Sequence, residues 1–270
     1  MARTRRVAVA WPTILRELRV EQIVDVSATT RRLGLGGPQL GEFEVAGGVA
    51  PAFRSDGFDD HVKLLVPLEG TTRPPLPVQG RDRLEWGGAG GRPVAKDYTP
   101  RRAVDAGSDG TPRPDGRLEI DVVLHDGGFA AGWARRVAVG DPAWIVGPSR
   151  SLLAPTGIDH LVVAGDETAL PAIARLLEEQ WPEGVGGSVV IDVPGPESHQ
   201  NLPLPPGVDL TWVHGSGEWL EAVHRLPDLP QTTFCWLAGE SGAVRDARRH
   251  LATERNIPRD CLDATGYWRR

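Results

Sequence analysis

Hydrophobic and polar positions change their rhythm once along this chain. In the first part they alternate. Val62, Leu64 and Val66 share one face of a short strand, and His61, Lys63 and Leu65 share the other. Leu118, Ile120, Val122 and Leu124 point one way from a second strand; Glu119, Asp121, Val123 and His125 point the other. Val20–Ala28 reads as a further strand, followed by Arg31–Gly41 with turns at Gly34, Gly36, Gly37 and Pro38. Glu69–Gly91 is rich in Pro and Gly and reads as loop, and Ala143–Val146 is a short strand closed by Gly147-Pro148. Regular strands with little helical period predict a closed antiparallel β-barrel.

After Pro155–Asp159 the period changes. Leu161–Gly165 is a continuous apolar run, as in a strand buried on both faces. Leu170, Ile173, Leu176, Leu177 and Trp181 recur at helical spacing, with Thr168 as N-cap and Pro171 in the first turn. Strands at Ser188–Val193, Leu210–Val213 and Thr233–Leu237, a helix over Gly242–Arg255 and a last strand at Asp263–Trp268 complete an alternating pattern. That pattern predicts a parallel α/β sheet. The expected organisation is a β-barrel domain over residues 1–155 and an α/β nucleotide-binding domain over 156–270.

Composition narrows the function classes. A net charge of −6 argues against a general nucleic-acid binder. No apolar run reaches membrane-spanning length, and Met1–Val9 is not followed by the apolar core of a secretory signal. The expectation is a cytoplasmic protein without stable membrane insertion. The 2 cysteines, Cys235 and Cys261, sit in apolar surroundings without metal-ligand spacing, and no metal site is expected. Motifs of serine hydrolases, zinc proteases and P-loop enzymes are absent.

Four segments carry chemistry. Lys96-Asp97-Tyr98-Thr99-Pro100-Arg101 puts a ring, a hydroxyl and cations within a few residues, which suits a flavin dinucleotide. His125–Ala134 is a turn of small residues opening a short helix, where backbone N–H groups can approach a phosphate. Gly165–Pro171 joins the end of the first parallel strand to a helix, and Gly239–Gly242 repeats that arrangement. Gly266-Tyr267-Trp268-Arg269-Arg270 ends the chain with aromatics and cations.

In this order, with Asp60–Pro67 in the barrel, these segments resemble the siderophore-interacting protein family of flavin-dependent ferric-siderophore reductases, within the ferredoxin–NADP reductase-like group. The resemblance implies FAD and NADPH (or NADH) as cofactors and a ferric siderophore as substrate of a monomer. The family's R-x-Y-T-x-R motif maps onto Lys96, Tyr98, Thr99 and Arg101. Tyr98 would stack on the flavin ring, Thr99 would bond near its reactive nitrogen, and Arg101 would help hold FAD. His125 and the turn with Gly128, Ala130, Trp133 and Ala134 would face the FAD phosphates. Asp166, Glu167, Thr168, Gly239, Glu240 and Trp268 would serve the nicotinamide nucleotide. Lys63, Arg135 and Arg269 would meet the anionic siderophore. Lys96 stands where the family has Arg, and Phe129 where it has Pro. Asp192 ends a strand where an acid could bind a ribose hydroxyl, favouring NADH. The alternatives are a flavin reductase with another acceptor, such as ferredoxin or a small quinone, and a non-catalytic binding protein.

Overall fold

The structure is a computed structural model of the chain and describes residues 6–46, 48–80, 84–85, 93–104, 116–215 and 217–269. Much of the predicted loop at Glu69–Gly91 lies outside the described residues. The chain divides into two compact units. One is Ala8–Leu152; the other joins Leu153–Arg270 to the segment ending at Val7.

The first unit is built on one antiparallel sheet. Its strands are β1 (Leu15–Asp25), β2 (Thr30–Gly36), β3 (Val62–Val66), β4 (Val94–Tyr98), β5 (Pro100–Val104), β6 (Arg117–Val123) and β7 (Pro142–Val146). The order is β5-β6-β2-β1-β7-β3-β4, so the two edge strands are consecutive in sequence and separated by Thr99 alone. The sheet therefore rolls until its edges meet at one residue. The antiparallel barrel expected from the sequence is present as a half-barrel sheet, without a ladder between β4 and β5. Pro100, which lacks an N–H donor, opens β5 at that corner.

Alternation fills the inside. Val62, Leu64, Val66, Leu118, Ile120 and Val122 are fully buried in one cluster with Leu18, Val20, Leu33 and Leu35. Their outward neighbours differ. Lys63 is exposed, whereas Leu65 is covered by Trp144 and Val146. Gly34 and Gly36, expected in turns, lie inside β2. A register shift in β1 between Val20 and Gln22 places Glu21 over Gly36, and Arg117 Cδ would lie 2.9 Å from a Cβ at Gly34. The glycines make room for side chains of neighbouring strands. Helix α1 (Phe129–Arg136) lays Ala130, Trp133 and Ala134 onto the same cluster.

The second unit is a parallel sheet of β8 (His160–Asp166), β9 (Gly186–Val193), β10 (Val208–His214), β11 (Thr233–Glu240) and β12 (Leu262–Trp268). The order is β10-β9-β8-β11-β12, with every neighbouring pair parallel. Helices α2 (Leu170–Arg175), α3 (Glu218–His224) and α4 (Ser241–Thr253) connect the strands. A π-helical turn, Leu176–Gln180, continues α2, and Trp181 falls beyond it. Thr168 is not the N-cap of α2; that position is Ala169, and Thr168 bonds Asp166. Helix α3 was not expected from the sequence. Its 7 residues are too few to show a helical period.

A buried carboxylate locks the approach to β3 in the first unit. Asp60 Oδ2 accepts from Ser55 Oγ at 2.9 Å, Gly57 N at 3.1 Å and Ser151 Oγ at 2.6 Å. Ser151 Oγ in turn accepts from Trp11 Nε1 at 2.9 Å. Asp60→Ala leaves these donors without their shared acceptor. It should lower stability by about 2–4 kcal/mol in urea unfolding, and Asp60→Asn should lose less.

Candidate functional site

In the first unit the site residues gather where the half-barrel's edges meet. Tyr98 ends β4 opposite Val62 and packs against the core cluster. Burial pushes its phenol up to about 12, so the ring stays neutral at physiological pH. Thr99 is 7% exposed, and its hydroxyl has no hydrogen-bond partner among the described residues. The residue is largely buried while the hydroxyl oxygen itself is not closed off, so it is open to a ligand atom. Arg101 is buried at 6% exposure, whereas Lys96 and Arg102 are exposed. One turn of chain thus offers a neutral ring, an open hydroxyl and a buried cation.

The turn after β6 is the second part. His125 is exposed and its Nδ1 lies 3.2 Å from the Asp126 carbonyl. Gly127 has φ +74°, and a Cβ on Gly128 would meet Nε2 of His125 at 2.5 Å. The first turn of α1 has neither a side-chain cap nor an acidic residue. Its end therefore keeps backbone N–H groups and a positive dipole for an anion. Ala130, Trp133 and Ala134 point into the core, so what they leave to a ligand is backbone. Phe129, where the family has Pro, packs partly buried against the same core. Together the corner and the turn fit a flavin carrying a pyrophosphate. The ring, the hydroxyl, the cation and the helix end match its aromatic, polar and anionic parts.

The two cations of this unit that the resemblance gives to the siderophore hold carboxylates. Lys63 Nζ lies 2.6 Å from Asp97 Oδ1, across the β3–β4 ladder. Arg135 reaches Asp126 Oδ1 at 3.4 Å and the His125 carbonyl at 3.3 Å.

In the second unit, residues distant in sequence meet at the carboxyl edge of the sheet. Asp166 Oδ1 accepts from Thr168 N at 3.0 Å and Thr168 Oγ1 at 2.5 Å. Its Oδ2 accepts from Glu240 N and Trp268 Nε1, both at 2.8 Å. Glu240 caps α4, accepting from Ala243 N at 2.9 Å, and Ser241 Oγ donates to the Trp268 carbonyl at 2.8 Å. Gly239 has φ +144°, and a Cβ there would sit 2.5 Å from Asp166 Oδ2. A Cβ on Gly165 would run into the Ala238 carbonyl and lie 2.6 Å from Ala169 Cβ. Three strand ends and two helix starts are thereby drawn together. Glu167 lies in the turn itself, and Arg269 follows the hub at an exposed position.

Asp192 corrects a sequence expectation. It stands level with Asp166 at the same sheet edge but is 4% exposed. Its Oδ1 accepts from Gly215 N at 3.1 Å, and its Oδ2 from Gly217 N at 2.9 Å and Trp219 N at 3.4 Å. Burial raises its pKa, and those amides partly oppose the rise. The carboxylate is spent on the start of α3 and is not presented to a ribose.

Among the described residues no helix is long and apolar enough to cross a membrane.

An antiparallel half-barrel followed by a five-stranded parallel sheet, with strand–glycine–helix turns at its carboxyl edge, defines a two-domain chain of the ferredoxin–NADP reductase type. The chain belongs to the siderophore-interacting protein family. The family's siderophore-interacting FAD-binding domain matches residues 19–152, and its siderophore-interacting protein domain matches 158–270. An NADPH-dependent ferric-chelate reductase of Escherichia coli K12 is 30% identical over 94% of this chain and 92% of its own length. A siderophore utilization protein from T. fusca is 32% identical with a TM-score of 0.82, covering 98% of this chain and 96% of that one. The siderophore-interacting protein SipS from Aeromonas hydrophila is 30% identical with a TM-score of 0.71, over 95% and 98%.

Asp166→Ala removes the acceptor of four donors, part of which water can replace. It should cost about 1–3 kcal/mol and lower the melting temperature. Gly239→Ala should produce a loss of the same sign, because its methyl group displaces that carboxylate. Calorimetry on both variants checks the hub.

Proposed function

We propose that this protein is an FAD-dependent NAD(P)H:ferric-siderophore reductase acting in the cytoplasm. The observation that carries the reading is the Tyr98–Thr99–Arg101 corner, a core-packed ring, an open hydroxyl and a buried cation, inside a segment matching a siderophore-interacting FAD-binding domain. The relative from Escherichia coli adds the donor and the class of acceptor.

Bound FAD would supply the conversion between a two-electron hydride donor and one-electron acceptors such as Fe(III). Tyr98 would give it a neutral aromatic face, and its ring is held by the core cluster. The Thr99 hydroxyl would bond the polar edge of the ring. Arg101 and Lys96 would offset the negative charge of the cofactor, and the open end of α1 would receive phosphate oxygens. Lysine at position 96 keeps the charge without the bidentate fork of arginine.

The second unit would take the nicotinamide nucleotide at its carboxyl edge. Asp166 fixes the positions of Thr168, Glu240 and Trp268, and each would keep its orientation through that shared carboxylate. With Asp192 buried against α3, no carboxylate at that position favours a ribose hydroxyl. This supports NADPH over NADH. Lys63, Arg135 and Arg269 would draw an anionic ferric siderophore towards the reduced cofactor. Fe(II) binds hard oxygen ligands weakly, so reduction releases the iron.

The first test is the visible spectrum of protein incubated with FAD and freed of excess cofactor, followed by anaerobic addition of NADPH and then a ferric siderophore. Retained flavin bands, bleaching by NADPH and appearance of Fe(II) at a ferrous chelator are expected. Bleaching without iron release would point to another electron acceptor. Absence of flavin would leave a binding protein. Tyr98→Ala should weaken FAD retention at least tenfold. Lys63→Ala should raise the KM for an anionic ferric siderophore several-fold and keep the flavin spectrum. NADPH should exceed NADH at least tenfold in kcat/KM.

A further inference from the structure

Helix α1, whose open start would take the FAD phosphates, is held at its other end by a side chain outside the site. Arg31 of β2 donates from Nη1 to the Ala134 carbonyl at 3.0 Å. That carbonyl lies in the last turn of α1, where carbonyls lack helical donors and a cation is favoured. The amide four residues on, Ala138 N, donates to Asp141 Oδ2 at 2.9 Å. Arg31 is itself fixed. Its Nε and Nη2 donate to Asp25 Oδ1 at 2.7 Å and Oδ2 at 3.0 Å, and Asp25 stands directly opposite it in the β1–β2 ladder. This bonding lowers the Asp25 pKa and raises that of Arg31, so both stay charged near neutrality. Alternation puts Arg31 on the face of β2 that carries Leu33 and Leu35, members of the cluster that seats Ala130, Trp133 and Ala134.

We propose that Arg31, oriented by Asp25, is a positioning residue for FAD: it fixes α1 on the half-barrel so that the amides at the helix start meet the cofactor's pyrophosphate. This rests on the FAD reading of the same turn. The geometry of the guanidinium makes the contact rigid. Two of its nitrogens form a fork to one carboxylate, and the third is left for one carbonyl in the same plane. A lysine keeps the charge but cannot make both contacts at fixed geometry. Apolar packing holds α1 down on the core but does little to stop it sliding along its axis, because burial is not directional. A hydrogen bond at the last turn removes that freedom. By helix rise, Ala134 lies roughly 9 Å from Gly128, so Arg31 acts on the phosphates through the helix. Asp25 separates position from charge. As a bare charge it repels FAD; as the partner of Arg31 it favours FAD.

The test measures the FAD affinity of the full chain by quenching of flavin fluorescence. In Arg31→Ala the dissociation constant should rise about three- to tenfold. Asp25→Ala should raise it about two- to threefold, although that change removes a negative charge. ADP, which carries the pyrophosphate without the flavin ring, should weaken as a competitor by the same factors. The visible spectrum of each variant saturated with FAD should match the wild type, because the Tyr98–Thr99 corner is untouched. Arg31→Lys should fall between the wild type and Arg31→Ala, and with Asp25→Ala it carries the test should Arg31→Ala fold poorly. Tighter FAD binding in Asp25→Ala would show that Asp25 acts by charge alone and would overturn the proposal. So would an unchanged affinity in either alanine variant, or a loss of FAD affinity that ADP does not share. Failure of the wild-type protein to bind FAD would instead sink the functional reading, so the two failures are told apart.

Discussion

The carboxylate of Asp166 is the contact on which the second unit's working edge depends. A parallel sheet ends in loops that have no reason of their own to converge. Here one side chain takes donors from the turn after β8, from the start of α4 and from the last residue of β12. Each oxygen accepts two bonds, which uses most of the lone-pair capacity of an ionised carboxylate. The glycines around it follow from that demand. Gly239 must adopt φ +144° and carry no side chain for the backbone at Glu240 to reach Oδ2. Gly165 must be bare for β8 to pass Ala238. An edge held this tightly can orient a dinucleotide without rearranging to bind it.

The first unit solves a different problem. A seven-stranded sheet that rolls up must bring two edges together, and edges expose unpaired backbone groups. Here the chain joins them through Thr99, followed by a proline that has no N–H to leave exposed. The corner is therefore both the end of the sheet and a place where backbone pairing is interrupted. That is where a ligand can find an open hydroxyl beside a ring anchored in the core. Trp133 and its alanine neighbours serve the same end indirectly, since they seat α1 so that its uncapped start faces outward.

Sequence pattern alone revealed the elements whose periodicity was long or alternated cleanly. The inward residues of β3 and β6 and the parallel strands β8, β9 and β11 were legible because burial writes itself into hydrophobic spacing. Three features were not, for identifiable reasons. Gly34 and Gly36 imitate turns, but their bareness answers Arg117 and Glu21 on neighbouring strands, which only register reveals. Thr168 has the composition of an N-cap, yet a stronger acceptor two residues earlier captures its hydroxyl. Asp192 has the position of a ribose ligand, but the amides that claim it lie in the turn leading into α3 and in its first turn, a helix too short to announce itself. The site segments were legible as clusters of residue types. Their partners were not, because Asp166 meets Trp268 across 102 positions of chain.

Charge placement links the two units' chemistry to the protein's overall balance. With a net charge of −6, the molecule as a whole repels anions. An anionic acceptor must then be drawn by local cations within about one Debye length, roughly 8 Å at physiological ionic strength. Pairing Lys63 with Asp97 weakens that local pull at rest and costs little to undo. Any anion meets a neutralised pair, because the attraction of Lys63 and the repulsion of Asp97 both grow with its charge.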